Sequence, residues 1–95
     1  MDKLTILMGE WHAVAKADYH SRFPETVLEY DRLYPHIVKE KQKYIYLDEG
    51  IVGAFILEKA TGNIYRIKGY GVINRARVIG NLETITGTDL FLNRW

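Results

Sequence analysis

The first quarter of the chain carries apolar residues at helical spacing. They recur at intervals of three and four, which places them on one stripe of a helix: Leu4, Leu7, Met8, Trp11, Val14, Ala15 and Tyr19. Asp2 precedes the stripe as a candidate N-cap. Pro24 ends it, because proline disfavours helical backbone at Phe23. The pattern predicts an amphipathic helix over roughly the first twenty residues.

From residue 42 onward the pattern changes to that of β-strands. Residues 44–47 are aromatic and aliphatic, residues 51–57 are nearly all apolar, and residues 63–70 alternate. Residues 48–50 predict a turn between the first two of these strands. Residues 59–62 predict the loop of a hairpin between the second and third, with Gly62 at the position that needs a positive φ.

The remaining segments are less determined by their patterns. Residues 25–34 fit either a strand or a short helix opening at Pro24, and residues 36–38 predict a short strand. Residues 72–79 fit a loop or a short strand, before a turn at residues 80–81. Together the elements predict one α+β domain over residues 1–95, with the N-terminal helix packed on an antiparallel sheet of about four strands.

Strand alternation predicts which side chains share a face. Tyr65 and Ile67 fall on one side of their strand, and Arg66, Lys68 and Tyr70 fall on the other, together with Ile64. Two long cations are costly to bury without partners, so we expect their side to face water. Ile45 and Leu47 suit the core. Alternation then places Tyr44 and Tyr46 on the side that faces water. The expected basic-aromatic face consists of Tyr44, Tyr46, Arg66, Lys68 and Tyr70, followed by Arg75 and Arg77.

Tyrosines interleaved with cations on a sheet are typical of proteins that bind single-stranded nucleic acid, because rings stack on bases and cations follow phosphates. The charge distribution agrees: residues 1–34 hold four cations and six anions, and residues 35–95 hold nine cations and six anions. An ordinary solvated sheet face is the commoner origin of such a pattern, and exposed Tyr and Arg also suit a protein partner. All three interpretations stay open.

The tail, residues 89–95, is too apolar for a solvated end. It either docks on the core or meets a partner. In the second case Phe91 and Trp95 are the candidate partner-binding residues, and the chain is a candidate homo-oligomer or an inhibitor that binds another protein.

Catalytic and metal-binding patterns are weak. His12 and His20 do not have the i, i+4 spacing of a helical zinc clamp, and we expect these two and His36 to be surface or rim residues. Ser21 lies beside His20, and adjacent helix residues do not face each other. Without cysteine, disulfides and cysteine zinc sites are excluded. We therefore expect no enzymatic activity, no metal and no cofactor.

The apolar segments fall short of the ~18 to 20 residues of a membrane span, and the N-terminus lacks the pattern of a secretory signal. With 47% apolar residues and a net charge of +1, the composition favours a folded chain over a disordered one. We expect a soluble intracellular protein with no membrane partner.

The segment from Phe55 to Asn81 resembles small accessory proteins of bacteriophages and other viruses of prokaryotes. The shared pattern is an apolar strand with an acid–cation pair, then Thr-Gly-Asn-Ile-Tyr-Arg at residues 61–66, then an aromatic, basic residues and Gly-Asn. The matching positions are Phe55 to Lys59, Thr61 to Arg66, Gly69-Tyr70, Arg75, Arg77 and Gly80-Asn81, with Phe23-Pro24 after the helix. Tyr70 and Ile73 stand where many of those proteins have Trp and Pro. The resemblance implies a viral accessory protein in the host cytoplasm that binds nucleic acid or blocks a host protein, such as a defence complex.

Overall fold

A computed structural model describes residues 2–24, 30–50 and 52–93 of the chain. Its helices and strands follow in the order α1 (Lys3–Arg22), α2 (Tyr30–Leu33), β1 (His36–Glu40), β2 (Tyr44–Glu49), β3 (Val52–Glu58), β4 (Asn63–Gly69), β5 (Val72–Asn81) and α3 (Gly87–Leu92). The predicted α+β class is confirmed. Residues 25–29, where a strand or a helix was open, lie outside the described residues.

Helix α1 has the predicted boundaries and the predicted buried stripe. The Asp2 carboxylate caps its first turn by accepting from the Thr5 amide, at 2.7 Å, and Phe23 closes its last turn on the Tyr19 carbonyl. Of the predicted stripe, Leu7, Met8, Trp11 and Ala15 are buried. Periodicity alone therefore located this element and its core-facing side.

The sheet is an antiparallel meander of five strands in the order β1-β2-β3-β4-β5, one more than predicted. Gly62 has φ 78° in the predicted hairpin loop. Of the residues predicted as a turn at 48–50, Asp48 and Glu49 belong to β2, and Gly50 has φ 64°.

Strand β5 is the largest departure from the sequence pattern. It runs for ten residues through the segment left open as a loop or short strand. The turn predicted at residues 80–81 is wrong, because Gly80 pairs with Ile64 and Asn81 pairs with Asn63. The Asn81 amide donates to the Thr61 carbonyl at 2.9 Å and to Asn63 Oδ1 at 3.0 Å. These bonds hold the residue in the sheet, where composition favours a turn.

The core lies between one face of the sheet and helices α1 and α3. Its buried members are Leu7, Met8, Trp11, Leu47, Phe55, Leu57, Ile64 and Leu90. Helix α3 begins with a capping box between Thr86 and Asp89 and buries Leu90 fully. Phe91 is partly buried against the same core, so its ring is held within the fold. Trp95 lies outside the described residues.

None of the helices described is long and apolar enough to cross a membrane.

Candidate nucleic-acid interface

The face of the sheet opposite α1 carries four tyrosines. Residues directly opposite each other in a ladder share a face, and the register aligns Lys39 with Tyr46, Tyr46 with Ile56, and Ile56 with Tyr65. The row beside it, Leu47 with Phe55, belongs to the core. We call this side the tyrosine face and define it by Tyr44, Tyr46, Tyr65, Tyr70, Lys39, Lys41 and Arg75. Tyr65 and the neighbouring Ile56 are buried on it, with 8% and 2% of their surface exposed.

The predicted composition of this face was right for Tyr44, Tyr46 and Tyr70, and it was wrong for Tyr65 and Arg66, which exchange sides. Arg66 pairs with Phe55, whose ring packs on Trp11, so its side chain leaves β4 on the helix side. Ile64 shares that side and is fully buried in the core. Because the strand alternates, burying Ile64 sends Arg66 to the same side and Tyr65 to the tyrosine face.

The three other cations predicted for this face, Lys68, Arg75 and Arg77, are exposed. Arg66 itself is half-buried and lines a groove with Tyr34 and Glu49. Lys68 lies where the β4–β5 register shifts, between Ile67 and Gly69. Arg77 lies in the irregular stretch of β5.

One end of the tyrosine face is built around a buried carboxylate. The side chain of Asp48 is 2% exposed and accepts from the Tyr70 hydroxyl at 2.9 Å. That hydroxyl in turn accepts from the Lys39 ammonium at 2.8 Å. The Tyr70 hydroxyl, and secondarily Asp48, raise the pKa of Lys39 above its usual value. Lys39 therefore stays cationic and fixed in place.

Close packing orients the Tyr70 ring. A Cβ added at Gly53 would lie 2.9 Å from the ring, so glycine there lets the ring lie against the β3 backbone. Tyr46 meets Tyr70 edge-on, with ring centroids 5.9 Å apart. Tyr70 is still 52% exposed, which leaves ring surface open to a ligand.

The other end of the face is organised by Arg75. The β4–β5 register advances by two residues on β4 and by five on β5, between the pairs Ile67–Ile73 and Tyr65–Val78. The extra residues of this bulge include Arg75. Its guanidinium lies 6.0 Å from the ring centre of Tyr44 and 5.8 Å from that of Tyr65, and it donates to the Tyr44 hydroxyl at 2.6 Å.

Glu58 forms an ion pair with Arg75, with 3.3 Å between the guanidinium and the carboxylate. The Thr61 hydroxyl donates to the same carboxylate at 2.8 Å. Thr61 first, and then Arg75, lower the pKa of Glu58, so Glu58 is an anion at neutral pH. Any phosphate that reaches Arg75 has to compete with this carboxylate.

The tyrosine face can thus offer ring surface and cations to a ligand. Lys41 lies 5.6 Å from the ring centre of Tyr46 and Lys39 lies 5.3 Å from that of Tyr70, distances typical of cation–π contacts. Sequence reasoning missed Lys39, Lys41 and Tyr65. The hairpin around residues 41–43 could have indicated Lys39, because closing it at that point pairs Lys39 with Tyr46.

One of the three histidines is placed differently from the expectation. The side chain of His36 is only 2% exposed, so the expectation of a surface or rim residue is wrong for it. It lies against Trp11, with ring centroids 4.2 Å apart. Within the described ranges, no group of three or more His, Asp or Glu side chains is placed to hold a metal ion.

The chain matches no family model, no curated protein and no solved structure. Function therefore has to be inferred from the chemistry of its own side chains.

Proposed function

We propose that the chain is a small, non-enzymatic accessory protein of a prokaryotic virus that binds single-stranded nucleic acid through the tyrosine face. The observation that carries the proposal is the pairing of ring and cation across that face: Lys39 with Tyr70, Lys41 with Tyr46, and Arg75 with Tyr44 and Tyr65. The viral origin, with action in the host cytoplasm, is supported by the resemblance over residues 55–81.

A single strand suits this surface better than a duplex. Bases can stack on tyrosine rings only when they are splayed out of a helix, whereas the phosphates of either form can meet Lys39 and Arg75. Tyr70 offers the most exposed ring of the face, and Tyr44 and Tyr46 are half-buried beneath the cations. We therefore expect one base on Tyr70 and a second base, further along the strand, near Tyr44, with the backbone passing Arg75.

A protein partner is the second candidate, and the acids on the face favour it. Asp48 and Glu58 offset the charge of Lys39 and Arg75, which leaves the face less positive than a dedicated nucleic-acid surface. Tyr and Arg are enriched in protein interfaces. A host protein or a second copy of this chain would then cover the same rings.

Fluorescence anisotropy with labelled single- and double-stranded oligonucleotides tests the first candidate. We expect the single strand to bind more tightly than the duplex. We also expect its affinity to fall steeply as the salt concentration rises, because the release of counterions drives the contacts with phosphate. No binding at low salt would overturn the proposal. Light scattering of the free protein then tests the homo-oligomer, and a pull-down from nuclease-treated host lysate tests the host protein.

Substituting Arg75→Ala is expected to weaken oligonucleotide binding and to flatten its salt dependence by about 0.7 in log–log slope, the contribution of one single-strand phosphate. Arg22→Ala is the matched control, because Arg22 is an exposed arginine on α1, paired there with Asp18. Equal effects of the two substitutions would mean that the binding is diffuse and does not use the tyrosine face.

Substituting Glu58→Gln is expected to strengthen oligonucleotide binding about fivefold. The change removes the anion that competes with phosphate for Arg75 and keeps an oxygen that Thr61 and Arg75 can reach. The effect is expected to be only several-fold, because water weakens the interaction between charges at a surface. The measurement is the dissociation constant at constant ionic strength.

Glu83→Gln is the control for that change, since Glu83 is an exposed acid paired with Lys3 of α1. Unchanged or weaker binding by the Glu58 variant would show that Arg75 does not contact phosphate.

A further inference from the structure

Strand β1 forms an edge of the sheet. It pairs with β2 in a regular register, and its other side has no strand neighbour among the described residues. The opposite edge, β5, is irregular because of the bulge around Arg75, and bulges discourage an edge from pairing with another chain. Of the two edges, β1 is therefore the one with an uninterrupted backbone.

Half of the backbone groups of β1 point away from the sheet. The Lys41 amide donates to the Tyr44 carbonyl at 2.8 Å, and the Gly50 amide donates to the Pro35 carbonyl at 2.7 Å. These bonds identify the odd-numbered residues as those that face β2, because successive residues of a strand direct their backbone groups to opposite sides. No loop or cap bond in the described part of the chain uses the outward groups. The outward residues are His36, Val38 and Glu40.

Solvent reaches this edge. His36 is half-buried as a residue although its side chain is only 2% exposed, so its exposed surface is backbone. Val38 is 40% exposed, even though its pairing with Leu47 places its side chain on the helix side. Helices α1 and α2 therefore leave the edge accessible at both residues.

The charged side chains of β1 and of the turn after it are held on the sheet itself. Lys39 donates to the Tyr70 hydroxyl, and Lys41 lies over a ring of the tyrosine face. Glu40 accepts from the Lys59 ammonium at 2.8 Å. Charged side chains, lysines above all, usually protect an edge strand from a second chain. Here they are engaged elsewhere, so the backbone of β1 can accept another strand.

We infer that β1 of a second copy of this chain pairs with this edge, antiparallel and about a two-fold axis at Val38. That axis sets Val38 opposite the partner's Val38 and His36 opposite the partner's Glu40, so every outward amide and carbonyl of both strands is paired. An axis at Lys39 sets that residue opposite the partner's Lys39, and like charges in that position destabilise a sheet. An axis at Ile37 places Glu40 beyond the start of the partner strand.

The pairing continues the sheet from one copy into the next. Opposed residues of a ladder share a face, so both tyrosine faces lie on the same side and their rings stay uncovered. If the function proposed above holds, on which this consequence rests, a long single strand crosses the axis and contacts both copies. One pair of short strands is a small interface, so we expect the dimer to dissociate on dilution.

Sedimentation equilibrium of the unmodified protein, without nucleic acid, tests the pairing. We expect the mass to rise with protein concentration from one chain to two and no further. Hydrogen exchange resolved by residue then locates the interface: the amides of Val38 and Glu40 should exchange slowly in the dimer and quickly after dilution. A single-chain mass up to the solubility limit, or a dimer whose Val38 amide exchanges quickly, would overturn the inference.

Val38→Pro is expected to abolish the dimer. Proline removes the outward amide, whereas the β1–β2 ladder does not use that amide and is kept. Val38→Thr is the matched control, because it keeps the amide and the β-branched shape and should dimerise like the unmodified chain. A proline variant that is folded by circular dichroism and still dimerises would contradict the inference, and if it fails to fold, the unmodified protein decides. Since no nucleic acid is present, failure of the dimer leaves the oligonucleotide proposal standing.

Discussion

Replacing Gly87 by alanine is expected to destabilise the fold by about 3 kcal/mol. Gly87 is the first residue of α3 and is buried. A Cβ there would lie 2.3 Å from the Trp11 backbone nitrogen and 2.4 Å from the Glu10 carbonyl carbon. Both atoms belong to the backbone of α1, which cannot move aside as a flexible side chain could.

The expected consequence is that α3 moves away from α1 and withdraws Leu90, which is fully buried. Urea denaturation at constant pH measures the loss. Gly9→Ala is the control: Gly9 lies inside α1 with open space around it, so alanine should stabilise the helix by about 0.5 to 1 kcal/mol. If Gly87→Ala were as stable as the unmodified protein, α3 would not dock against α1.

The combined substitution of Tyr44 and Tyr70 by leucine is expected to weaken single-strand binding by about a hundredfold. Stacking of one base on one aromatic ring is worth about 1 to 3 kcal/mol, and the two rings lie at opposite ends of the tyrosine face. Leucine keeps apolar bulk above the sheet but offers no ring. The measurement is the dissociation constant at low salt, with far-ultraviolet circular dichroism as the check on folding.

Tyr70→Phe separates stacking from structural support. It keeps the ring and removes the hydroxyl that joins Lys39 to Asp48, so binding should persist while the free energy of unfolding falls by about 1 to 2 kcal/mol. If the phenylalanine variant lost as much affinity as the leucine variant, the hydroxyl network and not the ring would carry the binding.

Local signals in the sequence predicted much of the fold. Asp2 and Pro24 bounded α1, the stripe through Trp11 identified its buried side, and Gly62 identified the central hairpin. The full length of strand β5 was not predicted, because its bulge around Arg75 breaks the alternation on which strand prediction depends. The cost of that bulge is offset by contacts with Tyr44 and Glu58, which are distant in sequence.

The tyrosine face was only partly predictable for a related reason. Alternation correctly separated Tyr65 from Arg66, yet it does not say which side faces the helix. Charge favoured exposing Arg66, whereas the burial of Ile64 decided the outcome. The burial of His36 could not be predicted, because it depends on packing against the rings of Trp11, His12 and Tyr30, which are distant in sequence.

The central claim is that the tyrosine face is where nucleic acid binds, and chemical-shift mapping by NMR tests it most directly. A short single-stranded oligonucleotide is titrated at low salt into isotope-labelled protein, with amide and tyrosine ring signals recorded. The account predicts shifts at Tyr44, Tyr46, Tyr70 and Arg75, with α1 and α3 unchanged. Shifts confined to α1 and α3, or no shifts at all, would contradict it.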